Sequence, residues 1–323
     1  MSNSCLIIGL GQIGMGYDLS LNSAKAVYTH ARALSMHPTF DLAGAVDPTP
    51  ERRNLFTERF KLPAFADVDE ALQHISPALI VIASPTVFHA KLITEVLTLC
   101  RPEMILCEKP LAYELEDARE IVKLCREKNV KLFVNYIRRS DPGAIEIKRR
   151  FFNEDMIGPV KGVAWYSKGF MHNGSHLFNL IEFWLGKYVH AKIINDGRLW
   201  QDRDPEPDVH VKFEHGTVLF LAAWEDFFSH YTIELINTSG RLRYEQGGEY
   251  IVWQSTQADD NIKGYTYLKT EPEIISNRMQ FYQLSVIEQM ANEMKGKKTS
   301  LCTGEQALET LESIHNIIKL IQS

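Results

Sequence analysis

The residue best placed to do chemistry is the lysine of Leu106-Cys107-Glu108-Lys109-Pro110-Leu111, because it follows Met104-Ile105-Leu106, an apolar run that reads as a buried strand. Open α/β sheets take their ligands beyond the carboxyl ends of the strands, and an amine there can contact substrate and move a proton. Pro110 stiffens the turn behind it. The same residues also fit a surface Glu-Lys pair leaving a strand. A second proton carrier is His176 in His172-Asn173-Gly174-Ser175-His176, since histidine has the free pKa nearest neutrality. The two histidines stand at i and i+4, which on a helix puts them on one face, with Leu177, Leu180, Ile181, Trp184 and Leu185 on the other. Without a third ligand nearby they are a thin metal site, and no metal is expected. The alternative for His176 is a histidine hydrogen-bonded at a domain interface.

Lys109 needs a scaffold and a reaction partner, and the upstream chain supplies a pattern for both. Cys5-Leu6-Ile7-Ile8 is a short strand run leading into Gly9-Leu10-Gly11-Gln12-Ile13-Gly14. Glycines at this spacing permit a tight turn and let backbone N–H groups approach a pyrophosphate. A glycine-rich turn without a ligand is the alternative. The stretch from Met15 to Ser23 is polar and Gly-containing, so the next helical pattern begins only near Ala24 and ends before Pro38. Phe40 to Val46 reads as a second strand that ends in Asp47. An acid there bonds a ribose 2′-hydroxyl and repels a 2′-phosphate, which favours NAD. Asp47 also suits a helix cap before Pro48 and Thr49, and Arg52 or Arg53 could receive a 2′-phosphate, keeping NADP as the alternative.

Further strands at Ala78–Ala83 and Lys131–Val134 alternate with helical patterns at Val68–His74, His89–Leu99 and Leu115–Lys128. That alternation predicts a doubly wound parallel sheet. Past Asn135 the texture changes to period-two strands, as in Val209/Val211/Phe213 and Val218/Phe220 around the turn His215-Gly216. They predict a mostly antiparallel sheet with helices on one face.

Composition narrows the class of protein. The 323 residues, 45% of them hydrophobic, suffice for two domains with real cores. A net charge of −6 argues against nucleic acid or an anionic membrane as the main partner and leaves a small molecule as the default. Five cysteines, none in a C-x-x-C pair, suit reduced thiols in a cytoplasm. No signal segment or membrane span is expected from the sequence.

Taken in order, Gly9-x-Gly11-x-x-Gly14, Asp47, Ser84-Pro85-Thr86-x-x-His89, Glu108-Lys109-Pro110, Ile157-Gly158-Pro159-Val160 and Gly174-Ser175-His176 resemble the Gfo/Idh/MocA family, that of glucose-fructose oxidoreductase and inositol dehydrogenase. The resemblance spans nearly the whole chain. It implies an N-terminal Rossmann domain over 1–136 and a C-terminal α/β domain with a large open sheet over 137–323. It further implies NAD or NADP, a sugar, polyol or nucleotide-sugar substrate, and a homo-oligomer, dimer or tetramer, formed through that sheet.

By that resemblance Lys109 and His176 are the catalytic pair. Gly9, Gly11, Gln12, Ile13, Gly14, Asp47, Arg52, Ser84, Pro85, Thr86, His89, Glu108 and Lys109 bind the cofactor. Tyr136, Arg138, Tyr166, Lys168, His172 and Asn173 are expected to join Lys109 and His176 around the substrate, flanking the predicted cleft. This chain departs from the family pattern Asp-x-x-x-His, because His172 occupies the Asp position, and Asn179 stands where an Asp is frequent. The expected reaction is hydride transfer between a nicotinamide and a secondary alcohol or ketone. An NAD-dependent glycosidase and a non-catalytic nucleotide sensor are the alternatives.

Overall fold

Short aliphatic runs between amphipathic stretches build the first part of the chain, and the computed structural model describes residues 3–20, 25–152 and 158–321. The start of the helical pattern near Ala24, and Ile157, lie outside the described residues. The chain forms two units, Met1–Ser140 with Gln280–Glu309, and Asp141–Met279 with Thr310–Ser323. The sequence reading divides it at 136/137 alone; the contacts also return 280–309 to the first unit.

In the first unit, β1 (Asn3–Ile8), α1 (His30–Met36), β2 (Phe40–Val46), α2 (Pro50–Phe60), β3 (Ala64–Phe65), α3 (Val68–His74), β4 (Leu79–Ile82), α4 (His89–Leu99), β5 (Met104–Cys107), α5 (Leu115–Glu127) and β6 (Lys131–Val134) follow one another. The strands order as β3-β2-β1-β4-β5-β6, all parallel. Every residue of β4 and β5 is buried, as expected of strands covered on both faces by crossover helices. The order reverses between β1 and β4, so the loops after these two strands meet at the topological switch point, where such sheets bind ligands.

α1 is shorter than the sequence pattern, and the cause is a buried acid. Asp18 is 2% exposed, and its carboxylate accepts the N–H of Tyr28 at 3.1 Å and of Thr29 at 2.9 Å, plus the Thr29 hydroxyl at 2.7 Å. These bonds hold Thr29 extended, and its Oγ1 then caps the new helix by accepting from Arg32 N at 3.4 Å.

The second unit contains α6 (Pro142–Phe152), β7 (Val160–Tyr166), α7 (Ser175–Leu185), β8 (Tyr188–Trp200), β9 (Asp204–Phe213), β10 (Gly216–Ala222), β11 (Thr232–Asn237), β12 (Gly240–Glu245), β13 (Tyr250–Ala258), β14 (Thr266–Leu268) and β15 (Glu273–Ile274). Its nine-stranded sheet runs β14-β13-β12-β11-β7-β10-β9-β8, with β15 paired to β13; among these pairs β10 with β7 is parallel and the rest are antiparallel. Alternation along β9 and β10 buries Val209, Val211, Phe213, Val218 and Phe220 in one core with Leu177, Phe178, Leu180 and Trp184 of α7. At its centre the Phe178 ring lies 5.4 Å from Phe213 and 5.7 Å from Phe220. Phe178→Ala is expected to lower the unfolding free energy by about 3–5 kcal/mol, read from chemical denaturation midpoints.

Three elements follow: α8 (Tyr282–Met294), β16 (Cys302–Thr303) and α9 (Gly304–Ile321). α8 buries Val286, Ile287 and Met290 in the first unit's core, and β16 pairs antiparallel with β6. Both placements join residues far apart in sequence. Among the described residues, no helix is long and apolar enough to cross a membrane. The α/β architecture expected from the sequence is therefore the observed one.

Candidate active site

The glycine loop is built by close approach. Gly9 has φ 106°, and a Cβ there would come within 2.7 Å of the backbone of Ala83 and Ser84. A Cβ on Gly14 would collide with the Gly9 carbonyl, whereas one on Gly11 would meet nothing within 4 Å. So Gly9 and Gly14 serve the turn itself, and Gly11 borders open space. Met15 N and Gly16 N each donate to Gly11 O at 3.0 Å, winding a helical turn. At the start of this turn the amides of Gln12, Ile13 and Gly14 have no backbone acceptor among the described residues. Adjacent amides of this kind suit a phosphate oxygen, and the residues present fit a dinucleotide.

Asp47 lies beneath that loop and does two jobs. It is 2% exposed; Oδ2 accepts the Leu10 N–H at 2.8 Å and Oδ1 accepts the Thr49 N–H at 2.9 Å. The acid therefore fastens β2 to the glycine loop and also turns the chain into α2. Arg52 reaches Asp47 at 3.5 Å, and Arg53 donates to the carbonyls of Asp47 and Pro48 at 2.8 and 2.9 Å. Arg53 is thus drawn into this corner, while the Arg52 side chain stays 51% exposed beside it.

Lys109 stands two residues past the end of β5, and its neighbours are fixed from both sides. The Glu108 N–H donates to Ile82 O at 2.9 Å, and Glu108 Oε1 lies 2.7 Å from His30 Nε2 and accepts from Asn135 Nδ2 at 2.6 Å. Burial by itself pushes the Glu108 carboxyl up, but the bonds from His30 and Asn135 and the Lys109 charge hold it below the usual range, ionised. On the other side His89 is fully buried, with Nε2 3.0 Å from Ser84 O and Nδ1 3.1 Å from both Pro110 O and Leu111 O. It ties the Ser84-Pro85-Thr86 loop after β4 to the turn after Lys109, whose peptide bond to Pro110 is cis. Burial pulls the His89 pKa down, against the pull of the three carbonyls and of Glu108. His89, expected from sequence among the cofactor residues, has both ring nitrogens against backbone carbonyls.

Tyr136 and Arg138 lie in the first unit just past β6, 5% and 8% exposed. Arg139 beside them is structural, donating to Ser300 O at 3.2 Å and Gln306 at 2.8 Å.

In the second unit the histidine pair does not share a regular helix face. Residues Gly169–Gly174 form one wide helical turn and α7 starts at Ser175, so His176 is the second residue of α7 while His172 belongs to the turn before it. His172 is exposed and stacks on Trp200 with ring centres 5.1 Å apart, and His176 is half-buried. Two acids from the start of β9 hold this turn. Asp204 accepts from Met171 N at 3.0 Å and His172 N at 2.8 Å, and Glu206 accepts from Gly169 N at 3.0 Å and from Arg198 Nε at 2.7 Å. Sequence reasoning missed both, although Asp204-Pro205-Glu206-Pro207-Asp208 is an unusual acidic run. Lys168 sits in left-handed backbone at φ 63°, and Asn173 is 5% exposed. Tyr166 is fully buried and donates its hydroxyl to Pro207 O at 2.7 Å; burial and the nearby carboxylates push its phenol well up. Its hydroxyl is committed to the sheet. Asn179 is likewise internal, donating to Thr310 Oγ1 at 3.0 Å. Among the described residues no group of three or more His, Cys, Asp or Glu could hold a metal ion.

Residues 4–136 match the sequence model of the Gfo/Idh/MocA oxidoreductase family, described as an NAD-binding Rossmann fold. No curated protein matches the chain. Among solved structures, the UDP-N-acetylglucosamine 3-dehydrogenase of Acidithiobacillus ferrooxidans superposes with TM-score 0.79 at 15% identity, covering 100% of both chains. The WlbA dehydrogenase of Bordetella pertussis, in complex with NADH and UDP-GlcNAcA, gives 0.74 at 17% identity, covering 100% of this chain and 97% of that one. An oxidoreductase of Agrobacterium radiobacter in complex with NAD+ and L-tartaric acid gives 0.75 at 16% identity, again covering 100% and 97%. At such identities these are likenesses of fold, and they extend over both units. Residues 4–136 are thus matched as the NAD-binding Rossmann domain of the Gfo/Idh/MocA oxidoreductase family.

Proposed function

We propose that this chain is an NAD-dependent oxidoreductase that moves hydride between the nicotinamide and a secondary alcohol or ketone of a sugar, polyol or nucleotide sugar. The observation that carries the reading is Lys109, set at the carboxyl end of β5 in the same unit as the glycine loop and fastened through Glu108 on one side and Pro110 on the other. When bound, the nicotinamide supplies the hydride acceptor or donor. Gly9 to Gly14 would hold its pyrophosphate and Asp47 the adenosine ribose, with Asp47 disfavouring a 2′-phosphate.

Lys109 would take the hydroxyl proton during oxidation and return it during reduction. Tyr136 and Arg138 are the first unit's candidates for substrate contact. On the second unit Lys168, His172, Asn173 and His176 sit on or beside one turn, and His176 is the candidate for a further proton-transfer group. Two of the solved structures of similar fold have nucleotide-sugar names or ligands, which supports that substrate class. Five cysteines, none of them in a disulfide, support a cytoplasmic setting, and the family resemblance supports a homo-oligomer.

The test is a panel of sugars, polyols and nucleotide sugars with NAD+ and NADP+ and with their reduced forms, followed by the reduced-nicotinamide absorbance and by product analysis. The expected result is turnover of at least one member with NAD preferred to NADP. Cofactor binding without turnover across a broad panel would replace this reading with a nucleotide sensor, and a net hydrolysed glycoside with a glycosidase.

A further inference from the structure

We propose that His30 is a positioning residue for Lys109, acting through Glu108: it fixes the carboxylate next to the lysine and shares its charge. The inference rests on the reading of Lys109 as the proton-transfer group. His30 opens α1, immediately after the stretch that follows the glycine loop, and is fully buried. Its backbone N–H donates to Ile13 O at 3.1 Å, and the next residue's N–H donates to Gly14 O at 3.0 Å. The imidazole is therefore carried on the same piece of backbone that shapes the dinucleotide loop, and its ring reaches across to β5.

The proton arrangement follows from the partners. Nε2 lies 2.7 Å from Glu108 Oε1 and 3.3 Å from Gln283 Nε2, while Nδ1 is buried with no hydrogen-bond partner among the described residues. Of the two only the carboxylate is an acceptor, the Gln283 amide nitrogen being a donor, so the ring proton sits on Nε2 and is donated to Glu108. Asn135 Nδ2 donates to the same oxygen at 2.6 Å and also reaches Gln283 Oε1 at 3.2 Å. His30, Asn135 and Gln283 are each 2% exposed or less. Two fixed donors, His30 and Asn135, thus converge on one oxygen of a carboxylate whose side chain is 14% exposed.

Other groups that feel this charge are Cys107 on β5, His89 on α4, Tyr282 on α8 and Lys109 itself. Of these, Lys109 is the cation. A buried carboxylate that loses a donor makes stronger demands on the cation that remains beside it. Removing the His30 ring should therefore favour the ammonium form of Lys109 and leave less free amine to accept a proton. A histidine that only filled the core would have no such effect.

The test reads Lys109 directly and needs neither substrate nor cofactor. Competitive labelling of the full chain with isotopically paired acetic anhydride across pH, read by mass spectrometry, gives the apparent pKa of Lys109, with exposed Lys91 as internal reference. In a folded His30→Ala variant the Lys109 value should rise by about one unit, with a smaller rise in His30→Gln, which keeps an N–H donor. Glu108→Gln, which removes the charge with little change of shape, should lower it. An unmoved Lys109 in folded His30→Ala, or Lys109 and Lys91 shifting together, would overturn the proposal. If His30→Ala does not fold, His30→Gln and Glu108→Gln decide it, and it fails if neither moves Lys109 in the stated direction. A shift in a chain that turns over no substrate would uphold the inference while sinking the proposed oxidoreductase activity. Turnover in the wild type with no shift would do the reverse.

Discussion

Lys109→Ala is expected to lower kcat/KM by about 10²-fold or more while NADH affinity stays within a few-fold of the wild type. The lysine stands two residues past a fully buried strand, and the Glu108 N–H bond to Ile82 O carries the backbone between them, so its position does not depend on the side chain. Glu108 keeps its bonds to His30 and Asn135, and His89 keeps its hold on Pro110 and Leu111. These bonds therefore survive and only the amine is lost. The loss should fall mainly on kcat, since proton transfer stabilises the transition state more than the bound ground state. Lys109→Arg keeps a cation but one that stays protonated at working pH, and it should fare no better. Steady-state kinetics beside NADH fluorescence titrations separate the two effects. Wild-type turnover in Lys109→Ala would remove the lysine from the chemistry.

A comparison among the loop glycines should give the other large effect. A Cβ on Gly11 would meet no atom within 4 Å, so Gly11→Val should fold with a melting temperature near the wild type. The new side chain would stand where the backbone must approach the pyrophosphate, so NADH affinity should fall by about tenfold or more. Gly14→Ala differs, because its Cβ would collide with the Gly9 carbonyl and the turn itself must deform. That variant should lose thermal stability along with binding. A Gly11→Val chain that binds NADH normally would mean that the loop does not cradle a dinucleotide.

Much of this was legible in the sequence because it is encoded locally. The spacing of Gly9, Gly11 and Gly14 after a strand, and the strand-then-lysine order at Met104–Lys109, need only neighbouring residues to be read. α4 and β6 span the ranges that their patterns give, His89–Leu99 and Lys131–Val134. What escaped depends on polar groups whose partners lie far along the chain. Asp18 delays α1 through bonds to residues ten and eleven positions on. Asp204 and Glu206 shape the turn before α7 from more than 30 positions downstream. His30 was hidden for the same reason, because nothing near it in sequence announces a carboxylate 78 positions away. The return of α8 to the first unit was likewise beyond periodicity, which reveals an apolar face but not the surface that covers it.

The most direct test of the account is a calorimetric titration of the purified chain with NADH and, separately, with NADPH. The account predicts saturable binding of one NADH per chain, with weaker binding of NADPH because the buried Asp47 carboxylate stands at the end of β2 and repels a 2′-phosphate. Failure of both nucleotides to bind the folded chain would contradict the account at its base. Tighter binding of NADPH would instead assign Arg52 and Arg53 to the phosphate and overturn the role given to Asp47.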